Sequence, residues 1–559
     1  MPTLNIDNQN VTVAPGSTIL DAARALGLDI PALCHLAGCE ANTSCLACVV
    51  KVNGSPRLVP ACATLAADGL RVESETAEVR AARKAALELL LSDHLGDCVG
   101  PCEAVCPAGM EIPGMLRQIA AGEPCRALAI VKNRLALPAI LGRVCPAPCE
   151  KACRRGQYDS PIAIRTLHGD LAEENNTAPD KFLPARKPLR NKAVAIIGAG
   201  PAGLSAAYYL QLEGLACTIF DDQQQPGGKL RSQIPADRLP PEVIDAEVAV
   251  IKELGAVFRM GSRLGQNLTW AELQKNFSAV ILAFGATDPS FSASLGLKTT
   301  ANGLAADPAT FLTSLPGVFA VGDCLRKQSK LAVRSVGEGR RAARAVTRWL
   351  GRPAQDSSSE FNNLGQDAQA THELFNCRIG KLLDGEINEF VKTGGRLQVT
   401  GYSSENDSSL QPPACHGEVS SRSRASSLQP ASESKIQNPQ SKIEDAARCL
   451  HCDCRKPVDC KLRYYADLYQ ASQTRYPAGR RSFVQFQHPE ILYEPGKCIA
   501  CGLCLQIAQQ QQEKLGLTFI GRGFDVRVGV PLDRPLAEAL TRAARACAAA
   551  CPTGAISKS

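Results

Sequence analysis

Residues 193–222 read "AVAIIGAGPAGLSAAYYLQLEGLACTIFDD". An apolar run leads into G-x-G-x-x-G at Gly198, Gly200 and Gly203, then a helical stretch, a second apolar run and the acid Asp221. This order predicts a buried strand, a tight turn, a helix and a second, parallel strand, the opening unit of a dinucleotide-binding fold. Gly198 permits the turn, Gly200 lets the backbone approach a pyrophosphate, and Gly203 lets the helix close on the strand. The helix N-terminus favours phosphate charge. Asp221 ends the second strand, where a carboxylate can accept from ribose hydroxyls. The α/β region opened here is expected to run to about Trp349.

Composition bounds what surrounds it. A chain of 559 residues has room for three or four domains, each with its own core. The formal net charge of +7, without a long Lys/Arg run, gives no footing for a nucleic-acid or anionic-membrane partner. The opening "MPTLNIDNQNVTV" has no basic-then-apolar leader, and no run of about 18 apolar residues follows, so no integral membrane segment is expected. The 25 cysteines are clustered, a metal-thiolate pattern rather than a disulfide one. A soluble, cytoplasmic protein in a reducing compartment is the expectation.

Two cysteine groups precede the fingerprint. "TLNIDNQNVTVAPG" alternates as a half-buried hairpin does, and "STILDAARALG" follows as a short helix. Cys34, Cys45, Cys48 and Cys62 then stand at C-x10-C-x2-C-x13-C, which suits a [2Fe–2S] cluster on a β-grasp scaffold, with structural zinc as the alternative. Cys39 and His35 fall outside the pattern. The group resembles the N-terminal cluster domain of the large iron–sulfur subunit of NADH:quinone oxidoreductase and of related hydrogenase and formate dehydrogenase subunits. After the helical "AEVRAARKAALELLLSDH", the stretches "DHLGDCVGPCEAVCPAGMEIPGMLRQIAAGEP" and "LGRVCPAPCEKACRRG" hold six cysteines at intervals of four, at which thiolates can share a helical face. Together they resemble the helical two-cluster domain of the glutamate synthase small subunit and of dihydropyrimidine dehydrogenase. That resemblance implies two [4Fe–4S] clusters. Cys98, Cys102 and Cys153 would hold one with His94 in the remaining place, and Cys106, Cys145 and Cys149 the other with His168. A neutral imidazole in place of a charged thiolate should raise a cluster's potential.

Beyond the fingerprint, "PGGKLRSQIPADRLPPEVIDAEV" and "GVFAVGDC" extend the resemblance to the flavin domain of the glutamate synthase small subunit. It implies an FAD site also lined by Gly228, Arg238, Leu264, Gly322 and Asp323. Cys324 has no partner at C-x-x-C spacing and reads as structural. Relatives that oxidise NADPH insert a second nucleotide fold into this domain. Here "FSAVILAFGA" passes to "LPGVFAVGDC" with no strand–glycine–helix unit between them, and "GEGRRAA" at 337–343 fits the letters but belongs to the last helix. The usual NAD(P)H site is therefore expected to be missing.

From Ser403 to Ser441 the Ser/Pro/Gln/Asn-rich composition predicts a disordered linker. "RCLHCDCRKPVDCKLR" then offers Cys449, Cys452, Cys454 and Cys460 to a cluster or to zinc. In "CIACGLCLQIAQ", Ala508 stands where a two-cluster ferredoxin has its fourth cysteine. In such a ferredoxin that fourth cysteine serves the other cluster. The partner stretch "LTRAARACAAACPTG" keeps Cys547 and Cys551 but has Thr541 and Ala544 at the remaining places. The absences agree with one another: one cluster has been deleted, and Cys498, Cys501, Cys504 and Cys551 form the complete set of the [4Fe–4S] cluster that remains.

The expected architecture is multidomain α/β and α+β. It comprises a β-grasp [2Fe–2S] domain (1–75), an α-helical two-cluster domain (80–182), a Rossmann-like FAD domain (190–351), a variable linker (352–445), a cysteine-rich segment (446–490) and a C-terminal ferredoxin-like domain (491–559). FAD with one [2Fe–2S] and three or four [4Fe–4S] centres implies an electron-transferring subunit of a larger oxidoreductase. Its partners would be flavin/NADH-binding, hydrogenase or molybdenum subunits. No substrate-processing, and so no catalytic, residue is evident. A stand-alone NAD(P)H-dependent reductase, a bifurcating flavoprotein and a non-enzymatic redox sensor are the alternatives.

Overall fold

In the computed structural model the strand expected at the fingerprint, Ala193–Ile197, is the middle member of a five-stranded sheet. The strands run in the order Val318–Ala320, Ala279–Leu282, Ala193–Ile197, Ala216–Asp221 and Val257–Met260, and every neighbouring pair is parallel. The chain builds outward from the central strand on both sides, so a topological switch point lies at its C-terminal end, where such folds bind ligands. The helix Pro201–Leu212 starts there. Gly198 is left-handed (φ +115°), and a Cβ on it would lie 2.4 Å from the Ala283 carbonyl oxygen; a Cβ on Gly203 would lie 1.9 Å from the Gly198 oxygen. Only glycine fits at either position.

Between Leu282 and Val318 the described residues form one short helix, Pro289–Ser294, and a two-stranded hairpin, with no second nucleotide fold. The "GEGRRAA" letters lie inside the helix Ala332–Leu350. There the two glycines serve close packing: a Cβ would come within 2.6 Å of the Pro107 oxygen at Gly337 and 2.3 Å of the Ala202 oxygen at Gly339.

The structure describes residues 1–94, 98–286, 289–326, 331–351, 438–456, 460–473, 475–476, 485–522 and 526–558. They divide into two units, one drawn from Met1–Gly100 and Cys452–Ser559, the other from Pro101–Thr371 and Ser403–His451. Most of the linker expected over Ser403–Ser441 lies outside the described residues. Its end departs from the expectation: Asn438 caps the helix Pro439–Ala447, accepting from the Ser441 amide, with Pro439 at the first helical position. The polar residues that resemble a linker here act as a helix start.

In the first unit the opening hairpin pairs Thr3–Ile6 with Gln9–Thr12, and Thr3–Ile6 also runs parallel to Arg71–Glu73. Val49–Val52 and Leu58–Pro60 complete a mixed sheet, over which the helix Ile19–Ala25 starts in a Thr18/Asp21 capping box. The C-terminal part has a three-stranded antiparallel sheet (Phe486–Gln487, Ile491–Tyr493, Ile556–Lys558) and the helices Leu503–Gln510 and Ala544–Ala550. No helix among the described residues is long and apolar enough to cross a membrane.

In the helical region the six cysteines do not ride a shared helical face. Cys102 lies in the four-residue helix Pro101–Ala104 and Cys149 in Pro148–Lys151, while Cys106, Cys145 and Cys153 lie in the links between helices. Pro101, Pro107, Pro146 and Pro148 account for the difference. Each lacks an amide donor, so the chain breaks into single turns where the spacing alone would allow one long helix.

Candidate functional site

The first cysteine set is buried and its sulfurs are grouped in pairs. Cys34 meets Cys45 at 3.4 Å, and Cys48 meets Cys62 at 3.4 Å. A disulfide would need about 2 Å, so these are free thiols in contact. The hydrogen bond from Cys45 pushes the Cys34 thiol down to about 6, and that from Cys62 pushes Cys48 down to about 7. The same bonds, with burial, push Cys45 and Cys62 up. Two pairs of sulfurs, each close enough to share one metal, fit the donor set of a centre with two irons and two thiolates per iron.

The last set surrounds a cavity. Cys498, Cys501, Cys504 and Cys551 line it, with Tyr493, Val528, Thr553 and Ile556 among the remaining wall. Burial, then the nearby Cys551, pushes Cys498 up to about 11; burial likewise pushes Cys501 up to about 12. Burial raises Cys504 too, and three thiols that resist ionising on their own, converging with Cys551 on one cavity, fit a cationic metal centre that would favour their thiolates. Ala508 and Cys547 are buried in the apolar core of this domain, and the Cys547 thiol faces the Cys504 carbonyl at 3.6 Å.

The set between them contributes Cys452, Cys454 and Cys460 to the same unit; Cys449 lies in the other. Cys454 and Cys460 are buried. The Cys454 sulfur approaches the chain at Gly554 so closely that a Cβ there would stand 2.3 Å from it. Lys456 donates to the carbonyls of Ala548 and Cys551, and the Lys461 amide to that of Pro552. The cysteine-rich segment is thus laced onto the loop that carries Cys551.

His94 lies at the end of the helix Ala77–Asp93. Its Nδ1 hydrogen-bonds the Lys497 carbonyl at 3.1 Å. That bond makes Nδ1 the protonated nitrogen and leaves Nε2 with the lone pair, the arrangement usual for a metal-bound histidine. Burial, then the Lys497 charge, pushes the imidazole down to about 4, so it is neutral at pH 7. His94 and Cys98 belong to the first unit, Cys102 and Cys153 to the second. Within the second unit Cys106 lies near enough to raise the thiols of Cys145 and Cys149, and Cys145 that of Cys149, after burial has done so. His168 is buried on the helix Ile164–Thr177, and its Nδ1 has no hydrogen-bond partner among the described residues. Burial pushes this ring too down to about 4, with the Pro138 backbone partly opposing the fall.

At the switch point Gly198, Gly200, Gly228 and Gly322 converge. A Cβ on Gly228 would lie 3.0 Å from the Gly200 Cα, and one on Gly322 would lie 3.0 Å from the Ala202 Cβ. A Cβ on Gly200, by contrast, would meet nothing within 4 Å. A bare backbone edge at a helix N-terminus, with open space before it, fits a pyrophosphate. Asp221 accepts from the Ala199 and Gln223 amides at 2.6 and 2.9 Å, which anchors the turn. Asp323 is paired with Lys229 at 2.6 Å. Leu264 is buried and Arg238 exposed. Cys324 is buried, its thiol pushed up to about 12 by burial and directed at the Val321 and Leu282 carbonyls, as a packing residue would be.

Sequence reasoning missed Lys497, Glu494 and Gly554. The adjacency of Lys497 to Cys498 is the one local signal that pointed to any of them.

Three family models match the chain. Residues 1–77 match a 2Fe-2S iron-sulfur cluster binding domain, 81–178 domain II of dihydropyrimidine dehydrogenase with its 4Fe-4S cluster, and 196–264 an NAD(P)-binding Rossmann-like domain. The chain is 39% identical over 206 residues to the NADP(+)-dependent formate dehydrogenase subunit beta of Moorella thermoacetica, covering 33% of this chain and 29% of that one. It is 38% identical over 191 residues to the NADPH-Fe(3+) oxidoreductase subunit beta of Geobacter sulfurreducens, covering 33% and 28%. It is also 39% identical over 188 residues to the NAD-dependent dihydropyrimidine dehydrogenase subunit PreT of Salmonella typhimurium, covering 33% and 45%. The chain spans less than half the length of these relatives. It carries, in order, a 2Fe-2S domain, a 4Fe-4S domain and a Rossmann-like dinucleotide domain, and these relatives are oxidoreductase subunits.

Proposed function

We propose that this chain is an electron-transferring iron–sulfur flavoprotein subunit of a larger oxidoreductase. One observation carries the reading. Cys34, Cys45, Cys98, Cys460 and Cys501, drawn from four of the five cysteine sets, are members of one buried apolar cluster in the first unit. The loop of the first set is also bonded to the last: Asn42 Nδ2 donates to the Cys501 carbonyl at 2.8 Å, and Gln506 to the Glu40 carbonyl at 2.8 Å. Neighbouring redox sites in a water-excluding core suit passage of single electrons.

FAD would be held by Gly198, Gly200, Gly203, Asp221, Gly228, Arg238, Leu264, Gly322 and Asp323. Its chemistry would be exchange between two-electron and one-electron carriers. The four cysteines of the first set would hold a [2Fe–2S] centre, and Cys498, Cys501, Cys504 and Cys551 a [4Fe–4S] centre. Cys98, Cys102 and Cys153 with His94, and Cys106, Cys145 and Cys149 with His168, would hold two more. Cys449, Cys452, Cys454 and Cys460 would hold a further cluster or zinc. A partner subunit would supply the nicotinamide site or the terminal catalytic centre.

A second reading has its own support. The model matched at 196–264 describes an NAD(P)-binding domain, so the fingerprint itself could hold a nicotinamide dinucleotide. One experiment separates the two: anaerobic purification with natural partners, quantitation of iron, zinc and FAD, and addition of NADH and NADPH to the isolated chain. Bound FAD with iron for four or five clusters, and no bleaching by either nucleotide, is the expected result. Rapid bleaching would make the chain a reductase in its own right.

A further inference from the structure

Lys497 is buried at the meeting point of three of these cysteine sets. Its carbonyl accepts from His94 Nδ1 at 3.1 Å and from Thr553 Oγ1 at 2.9 Å. Its ammonium donates to the Asp453 carbonyl at 3.1 Å and to Glu494 at 2.7 Å. Asp453 directly precedes Cys454, Lys497 directly precedes Cys498, and Thr553 lies two residues past Cys551. Lys497 itself is only 5% exposed, and Glu494 8%. A buried ammonium is costly, and a single carboxylate is the least that holds it there. Glu494 supplies that carboxylate, and the Asp453 carbonyl is a second acceptor for the ammonium.

We infer that Lys497 is a positioning residue shared by the Cys454 and Cys498 centres, whose fixed charge sets their reduction potentials while its backbone holds His94 in the ligating tautomer. The inference rests on reading those cysteines as iron–sulfur ligands. When one electron arrives at either centre the local charge becomes more negative by one; no bond forms or breaks and no proton moves. A positive charge buried beside a centre favours the reduced form and raises the potential, while the Glu494 carboxylate opposes it. The pair is therefore a dial with two ends. Removing the ammonium should lower the potentials, and removing the carboxylate should raise them.

The test is a potentiometric titration of the anaerobically purified full chain, followed by electron paramagnetic resonance, with iron and zinc counted in every sample. Lys497→Met should shift the reduced-to-oxidised ratio at fixed potential at least tenfold toward the oxidised form, a fall in midpoint of about 59 mV for one electron. Lys497→Arg should restore the wild-type midpoint, and Glu494→Gln should move it upward. If Lys497→Met loses its iron, Glu494→Gln decides, since it is isosteric and leaves the ammonium bonded to Asp453. Full iron with an unmoved or lowered midpoint in Glu494→Gln overturns the inference. Zinc in place of iron at the Cys449–Cys460 set removes that centre from the claim, and the Cys498 signal still decides. A wild-type chain without iron at Cys498 overturns the ligand reading itself, and the inference with it.

Discussion

In the first cysteine set the four sulfurs form two contacts of 3.4 Å, and within each contact one thiol is pushed well below its ordinary value. In the last set the four sulfurs ring a cavity, and burial pushes Cys498, Cys501 and Cys504 up instead. Both sets are built on C-x2-C with distant cysteines added, so spacing alone makes them look alike. The difference is one of size. Sulfurs close enough to share a proton are close enough to share one metal, which suits a small centre held by two pairs. Sulfurs spread around a void suit a larger body that all four must face at once.

The most severe way to break this comparison is to remove one sulfur from each set. Cys45→Ser should cost the chain about two irons, and Cys551→Ser about four. Each variant should lose one paramagnetic signal and keep the others. Equal iron losses would mean that the two geometries do not encode two cluster sizes. Restoring a cysteine at Ala508 should add no iron, because that position is buried in the domain core and not among the residues lining the cavity. A new cluster signal in Ala508→Cys would show that the second ferredoxin site was not lost.

A smaller effect is expected where the intermediate set meets the last. In Gly554→Ala the new Cβ would lie 2.3 Å from the Cys454 sulfur, so the sulfur or the loop must move. Metal held by Cys449–Cys460 should fall while the Cys498 signal persists, shifted in its midpoint. Unchanged iron and zinc in this variant would show that the Cys454 thiol is free to turn away, and that the set does not depend on its seat against the C-terminal loop.

How much of this was legible depends on the distance over which each feature is written. The fingerprint strand and helix, the first hairpin and the meeting of Cys498, Cys501, Cys504 and Cys551 at one cavity are encoded in patterns of a few tens of residues or in mutually consistent absences, and they can be read directly. The grouping of Cys34 with Cys45 and Cys48 with Cys62 is not in the spacing, because loop closure decides which sulfurs meet. Lys497 reaches back 403 residues to His94, a pairing that no local pattern announces. The intervals of four in the helical region misled for a local reason: the prolines that accompany those cysteines interrupt the helices the spacing suggests. Asn438 misled in the opposite sense, since a polar residue before a proline is linker-like in composition and a helix cap in structure.

The smallest effect tests the assumption beneath the comparison, that burial alone moves ionisation in this chain by the amounts seen at the thiols. Glu247 is a buried acid with no metal reading attached. It caps the helix Pro138–Val144 by accepting from the Ala139 amide at 3.0 Å, and it also accepts from Asn176 at 3.2 Å. Burial pushes it up to about 7, with the Lys132 charge only partly opposing the rise. The folded state therefore holds its proton more tightly than the unfolded chain does. The stability this contributes is complete below the unfolded carboxyl value of 4.5 and is lost as pH rises through about 7. Glu247→Gln keeps an acceptor for the Ala139 amide and does not titrate, so it should gain on the wild type between pH 5 and pH 8, by up to about 3 kcal/mol. Thermal midpoints of both proteins at matched scan rates across that range read the gain. A difference that stays flat with pH would mean that Lys132 neutralises the site in full. Burial would then be a weaker lever at the cysteine sets as well, and the high thiols of the last set would have to be ascribed to their mutual repulsion.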